Sequence, residues 1–200
     1  MNTIFKSCIW LVTTTSIILV LYGVISLVYH HNRRKYLRMI AVTTLKLFNR
    51  YNIDYWIDFG TLLGVIRDND IIYKDNDVDI VIVDSKDNHE KMKLVKTDVE
   101  KLGFKLVKET WSAYRIKKYG LFADIYINKK DYKEKVFIGS IGVNSNIPFD
   151  LIGTPKTIVW RRYNLYVKVP EHIHRTLVWR YGPEYMTPRQ GFKGRIGLKG

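Results

Sequence analysis

From Cys8 to Tyr29 the chain runs for 22 residues without a charge. Wound as a helix, this run is about 33 Å long at roughly 1.5 Å per residue, against a hydrocarbon core about 30 Å thick, so it fits a single membrane span. Thr13, Thr14, Thr15 and Ser16 interrupt its apolar character. Hydroxyls in a helix can bond back to the preceding turn, so the interruption does not cancel the expectation. Trp10 and Tyr29 fall near the ends, where amphipathic rings favour the membrane interface. A cleaved signal peptide is the competing reading. The run exceeds the usual apolar stretch of about 7–15 residues, and no Ala-x-Ala-like site follows it. Among charged side chains only Lys6 precedes the run, whereas Arg33, Arg34, Lys35 and Arg38 follow it. The positive-inside tendency therefore favours a cytoplasmic C-terminal part.

The rest of the chain has the makeup of one folding domain. It carries 33 Lys and Arg against 19 Asp and Glu, a net charge of +14, nearly all of it beyond residue 32. Such a balance favours a phosphate-bearing or acidic partner, or an anionic membrane surface. No nucleic-acid recognition motif accompanies the charge, so no specific nucleic-acid partner is expected. The single cysteine excludes a disulfide scaffold and a Cys-rich zinc module. His172 and His174 lack an evident third ligand and read as ordinary surface or packing residues.

Leu37, Ile40, Ala41, Leu45 and Phe48 recur at helical spacing, which predicts an amphipathic linker helix over 33–51. A short strand over 55–59, a helix opening at Gly60-Thr61 and a strong strand over 78–83 follow. Next come a helix over 89–102 and strands over 104–107, 111–116 and 121–127. A bent strand region over 158–169 and a short helix after Pro170 close the domain. This order predicts an α+β (α/β) domain, a mixed sheet with flanking helices, preceded by one N-terminal transmembrane helix. The expected boundaries are a tail and anchor over 1–32 (span about 8–29), the linker helix over 33–51, the folded domain over 52–188 and a basic tail over 189–200.

The segment Asp58–Asp79, DFGTLLGVIRDNDIIYKDNDVD, carries the chemistry. Asp75, Asp77 and Asp79 are two apart, and residues two apart on a strand share a face. Like charges so placed repel unless a cation lies between them, and Mg²⁺ (or Mn²⁺) takes one or two carboxylates together with phosphate oxygens. Asp124, the lone acid of the apolar stretch Phe122–Tyr126, is the candidate third carboxylate of a metal site for phosphoryl chemistry. A calcium loop starting at Asp75 is excluded by Ile80, where such a loop needs glycine; a solvated acidic turn stays open. Upstream, Gly60 between strand and helix lets backbone N–H groups approach a phosphate, and Thr61 can donate to one. The alternatives are a plain turn glycine and an N-cap threonine. Arg67 offers a planar fork to phosphate or a solvated helix-end cation.

Strand, Gly-Thr, helix, turn, DxD strand and a later strand Asp together look like a polymerase β-type nucleotidyltransferase core. More closely, Asp58–Gly64, Arg67 and Asp75–Asp79 resemble the LicD/fukutin family. Val169-Pro170, Leu177, Tyr181-Gly182-Pro183, Tyr185-Met186 and Pro188 resemble that family's closing pattern, so the resemblance covers residues 52–188. It implies a membrane-anchored, Mg²⁺-dependent phosphotransferase. Such an enzyme moves a phosphocholine- or ribitol-phosphate-like group from a CDP-activated donor to a glycan or glycolipid hydroxyl. The carried-over roles are metal binding by Asp77, Asp79 and Asp124 with Asp75 assisting, and donor phosphate binding by Gly60, Thr61 and Arg67. Asp58 would shape the loop. Tyr73-Lys74 stands where the family usually has Pro-Trp, which bears on the donor pocket. The alternatives are a nucleotidyltransferase that attaches the nucleotide itself, and an inactive, membrane-tethered carbohydrate-binding module.

Overall fold

The computed structural model describes residues 3–73, 75–110, 112–139 and 146–188. Lys74, Trp111 and the basic tail from Arg189 lie outside them. The chain divides into two compact units, Met1–Lys35 and Tyr36–Gly200.

Helix α1 (Thr3–Arg50) supplies the first unit and enters the second. Within the first, the apolar side chains from Trp10 to Tyr29 are exposed. The hydroxyls fold back as expected: Thr14 Oγ donates to the Trp10 carbonyl at 2.8 Å and Ser16 Oγ to that of Val12 at 2.8 Å. Among the described residues, α1 is the one helix long and apolar enough to cross a membrane, by length and composition. The segment read as a linker helix is the last part of this same helix. Its stripe of Leu37, Ile40, Ala41, Leu45 and Phe48 is buried in the main core of the second unit.

The second unit is built on a sheet ordered β1-β2-β5-β4-β3, comprising β1 (Tyr55–Ile57), β2 (Asp77–Val83), β5 (Leu121–Asp131), β4 (Ala113–Lys118) and β3 (Lys105–Thr110). β2 and β5 are parallel; the other pairs are antiparallel. β6 (Val136–Ile138) and β7 (Ile147–Pro148) extend the end of β5, and β8 (Lys156–Trp160) pairs with β9 (Leu165–Val169) as a separate hairpin. The crossover between β2 and β5 includes α3 (Lys86–Lys101). Ser85 caps α3 by accepting the Asn88 N–H at 3.1 Å, and Met92, Val95 and Val99 bury its apolar stripe.

Strand alternation divides the sheet into two chemical faces. Val78, Ile80 and Ile82 of β2 and Ala123, Ile125 and Ile127 of β5 enter the main core. On the opposite face β2 presents Asp77 and Asp79 and then Val81 and Val83. The two valines pack in a second, smaller core with Trp56, Phe137, Ile147, Leu151 and Ile152. Both faces of β2 beyond Asp79 are therefore apolar, which is why the strand reads as a continuous β-branched run.

Between β1 and β2 lies α2 (Phe59–Leu63), which runs into a π-helical turn over Gly64–Asp68. Phe59, expected to finish the strand, instead opens the helix in the left-handed region at φ +46°. Gly64 is needed for space: a Cβ there would stand 2.5 Å from the Asp70 carbonyl oxygen and 3.1 Å from the Ile72 nitrogen. Asp70, which follows this turn, is buried. It pairs with Arg38 of α1 and accepts the Tyr163 hydroxyl at 3.1 Å.

Candidate active site

Asp77 and Asp79 occupy the first and third positions of β2, on the face away from the main core. The parallel register sets Asp79 directly beside Asp124, and Val81 beside Tyr126. Directly paired residues of neighbouring strands share a face, so the three carboxylates rise from the same side of the sheet. Asp124 is buried, 7% exposed, while Asp77 and Asp79 are half-buried.

α2 closes the side of this face. Asp58 sits at the end of β1 and caps the helix by accepting the Phe59 N–H at 2.7 Å. The Asp58 N–H donates to the Asp79 carbonyl at 3.3 Å, and the Asp79 N–H donates to Thr61 Oγ at 2.7 Å. The helix start and the Asp79 backbone are thus laced together from both sides. Gly60 faces the carboxylates: a Cβ there would stand 2.7 Å from an Asp75 carboxylate oxygen and 3.6 Å from one of Asp79. Thr61 is buried and holds β2 through its oxygen. Its O–H proton stays available as a donor. Arg67 makes a two-pronged pair with Asp68, at 2.8 Å for each contact.

The acidic crowding has an electrostatic signature. The Asp79 carboxyl is pushed well above the usual carboxylate range, first by burial and then by the negative charges of Asp77, Asp75, Asp58 and Asp124. Tyr126 donates its hydroxyl to Asp79 Oδ1 at 3.2 Å. Its phenol is driven up by burial and by Asp79, Asp124 and Asp77. Tyr181 is driven up likewise, by burial and then by Asp79, Asp58 and Asp75. The closing segment therefore lies in the field of this acidic cluster.

Asp75, Asp77, Asp79 and Asp124, the carboxylates expected to hold a cation, stand as an acidic cluster. Among the described residues no group of three or more His, Cys, Asp or Glu side chains could hold a metal ion as placed. Arg115 of β4 is the register partner of Asp124. Its guanidinium grips that carboxylate with both prongs, Nη2 to Oδ2 at 3.1 Å and Nε to Oδ1. The donor set nonetheless suits a hard divalent ion, being all carboxylate oxygen. The close approach of the Asp75 carboxylate to Gly60, which a methyl group would block, and the mutual repulsion on Asp79 both fit a cation there.

Four residues near the cluster have no site role in the sequence alone: Arg115, Tyr126, Arg180 and Tyr181, the last named only within the closing pattern. Arg180, near the end of α5 (Ile173–Tyr181), is 2% exposed and binds the fully buried Asp58 at 2.7 and 3.2 Å. Its guanidinium also lies 4.1 Å over the Phe59 ring. Tyr181 opens the Tyr-Gly-Pro of the closing pattern and Arg180 directly precedes it, so that pattern was the signal available for them. No sequence signal marked Arg115 or Tyr126, because strand register is invisible in a single sequence. His174 bonds the Tyr185 hydroxyl at 3.0 Å, as befits a packing residue.

Residues 52–138 match the family model described as LicD/FKTN/FKRP, nucleotidyltransferase domain. The chain is 35% identical over 105 residues to the uncharacterized protein RP689 of Rickettsia prowazekii (strain Madrid E). That match covers 52% of this chain and 37% of the relative, so it spans little more than a third of that relative's length. Solved structures with partial likeness include the antibiotic-resistance factor ANT(2'')-Ia in solution, with 15% identity, a TM-score of 0.41 and coverage of 56% of this chain and 57% of that one. The crystal structure of ANT(2'')-Ia with adenylyl-2''-tobramycin gives 14%, 0.42, 72% and 73%. The STING-associated CdnE c-di-GMP synthase from Capnocytophaga granulosa gives 14%, 0.35, 79% and 49%.

Proposed function

We propose that this chain, which carries a transferase domain of the LicD/FKTN/FKRP nucleotidyltransferase type over residues 52–138, moves a phospho-substituent from a CDP-activated donor to a glycan or glycolipid hydroxyl, with the N-terminal part of α1 as its membrane anchor. The observation that carries the reading is the register of β2 with β5, which sets Asp79 beside Asp124, together with the closeness of Gly60 to the Asp75 and Asp79 carboxylates.

In this mechanism Gly60, Thr61 and Arg67 line the donor diphosphate, with Gly60 allowing the close approach. Asp77, Asp79 and Asp124 would hold Mg²⁺ or Mn²⁺, with Asp75 assisting. When bound, the ion neutralises charge on the diphosphate and its leaving oxygen. The acceptor hydroxyl attacks, in line, the phosphorus of the phospho-substituent that is transferred. The new O–P bond forms as the P–O bond to the departing cytidine monophosphate breaks, and the hydroxyl proton passes to the Asp124 carboxylate. Tyr126 steadies Asp79 through its hydrogen bond.

The test supplies the full chain in detergent with Mg²⁺ and a glycan acceptor, with CDP-choline, CDP-ribitol or CTP in parallel. Transfer of the headgroup phosphate with release of CMP is expected. Transfer of a nucleotide from CTP with release of pyrophosphate would replace this reading with nucleotide attachment, the activity that the family description names. Binding to a glycan array without turnover of any donor would favour the inactive, membrane-tethered carbohydrate-binding module instead. For the anchor, the chain should stay in the membrane pellet through alkaline carbonate extraction; recovery in the supernatant refutes a spanning helix.

A further inference from the structure

Asp124 is asked to do two incompatible things. In the proposed mechanism it is a cation ligand and proton acceptor, yet both of its oxygens are engaged by the Arg115 fork. A carboxylate so neutralised is a poor ligand and a poor base. The pair is also set by the fold, because Arg115 and Asp124 are direct partners across β4 and β5 and project from one face. Arg115 is not locked there. Its side chain is 30% exposed, and its guanidinium carbon lies over the Phe122 ring, 4.1 Å from the centroid, a contact that does not depend on Asp124. Guanidinium forks bind phosphate as readily as carboxylate.

We propose that Arg115 competes with the divalent cation for Asp124, and that the cation site is completed only when a phosphate group draws the guanidinium away. Arg115 is then a positioning residue that couples donor binding to assembly of the site. The inference rests on the metal-dependent reading above and deepens it by naming phosphate as the trigger.

The test reads Mn²⁺ binding by electron paramagnetic resonance on the full chain in detergent, with no nucleotide present. Arg115→Met should bind Mn²⁺ about tenfold tighter than wild type, the ratio that corresponds to losing one partly exposed two-pronged pair. Removing a positive charge would attract any cation through the general field. The same change is therefore made in an Asp124→Asn background, where the gain should vanish. Arg115→Lys keeps the charge and the apolar stem but not the fork, and should fall between. Inorganic phosphate at millimolar concentration should tighten Mn²⁺ binding to wild type and leave Arg115→Met unchanged. Equal or weaker Mn²⁺ binding by Arg115→Met, or an equal gain in the Asp124→Asn background, overturns the inference while the metal-dependent reading stands. Absence of Mn²⁺ binding in every variant overturns both.

Discussion

Replacing Asp79 by asparagine is expected to abolish transfer and, in the same protein, to raise thermal stability. Asp79 is surrounded by Asp77, Asp75, Asp58 and Asp124, and its half-buried carboxyl is held well above the usual range by burial and by their charges. A folded-state pKa above the unfolded one means that the native state penalises ionisation. The penalty is absent below the unfolded pKa and grows as pH rises through the folded one. Asparagine removes the charge, keeps an acceptor for Tyr126, and leaves the backbone bond to Thr61 untouched. In EDTA at neutral pH the melting temperature should rise by about 2–6 °C, as expected for relief on the order of 1 kcal/mol. The difference should shrink on acidification toward pH 4, where wild type is protonated as well. Turnover should fall about a thousandfold or more, since several kcal/mol of charge stabilisation are lost with a cation ligand. Wild-type turnover in the variant would remove Asp79 from the chemistry. A lowered melting temperature at neutral pH would contradict the repulsive balance.

The second large effect concerns a pair the sequence does not reveal. Arg180 and Asp58 are 122 positions apart, almost wholly buried, and joined by two hydrogen bonds. Asp58 accepts further from the Phe59 N–H and from Trp56 Nε1 at 3.3 Å. Arg180→Met leaves that carboxylate buried without its cation and should cost about 3–5 kcal/mol in urea unfolding of the full chain in detergent. Pairing it with Asp58→Asn removes the stranded charge while retaining a helix-capping acceptor, and should recover at least about half of the loss. A cost under about 1 kcal/mol for the single change would show that the ion pair does not hold the two segments together. The pair ties α5 to the start of α2, and hence the closing pattern to Gly60. The double variant should therefore fold well yet transfer more slowly than wild type.

Period and local chemistry made much of the molecule readable in one dimension. The apolar run with its returning hydroxyls, the two-residue spacing of Asp77 and Asp79, the β-branched Val78–Val83 run and the helix read over 89–102 all depend on neighbours within a few positions. Such neighbours are fixed by backbone geometry. Asp124 could be chosen as a third carboxylate because an acid in an apolar strand is costly without a partner. The nature of that partner was another matter. Strand order and register belong to the packed sheet. They set Asp124 between Asp79 and Arg115, made the last part of α1 a core element rather than a linker, and buried Asp70 among Arg38 and Tyr163. They also carried Arg180 to Asp58. Each of these depends on which buried faces meet, and that is decided by the collective exclusion of apolar surface from water rather than by any local stretch of sequence.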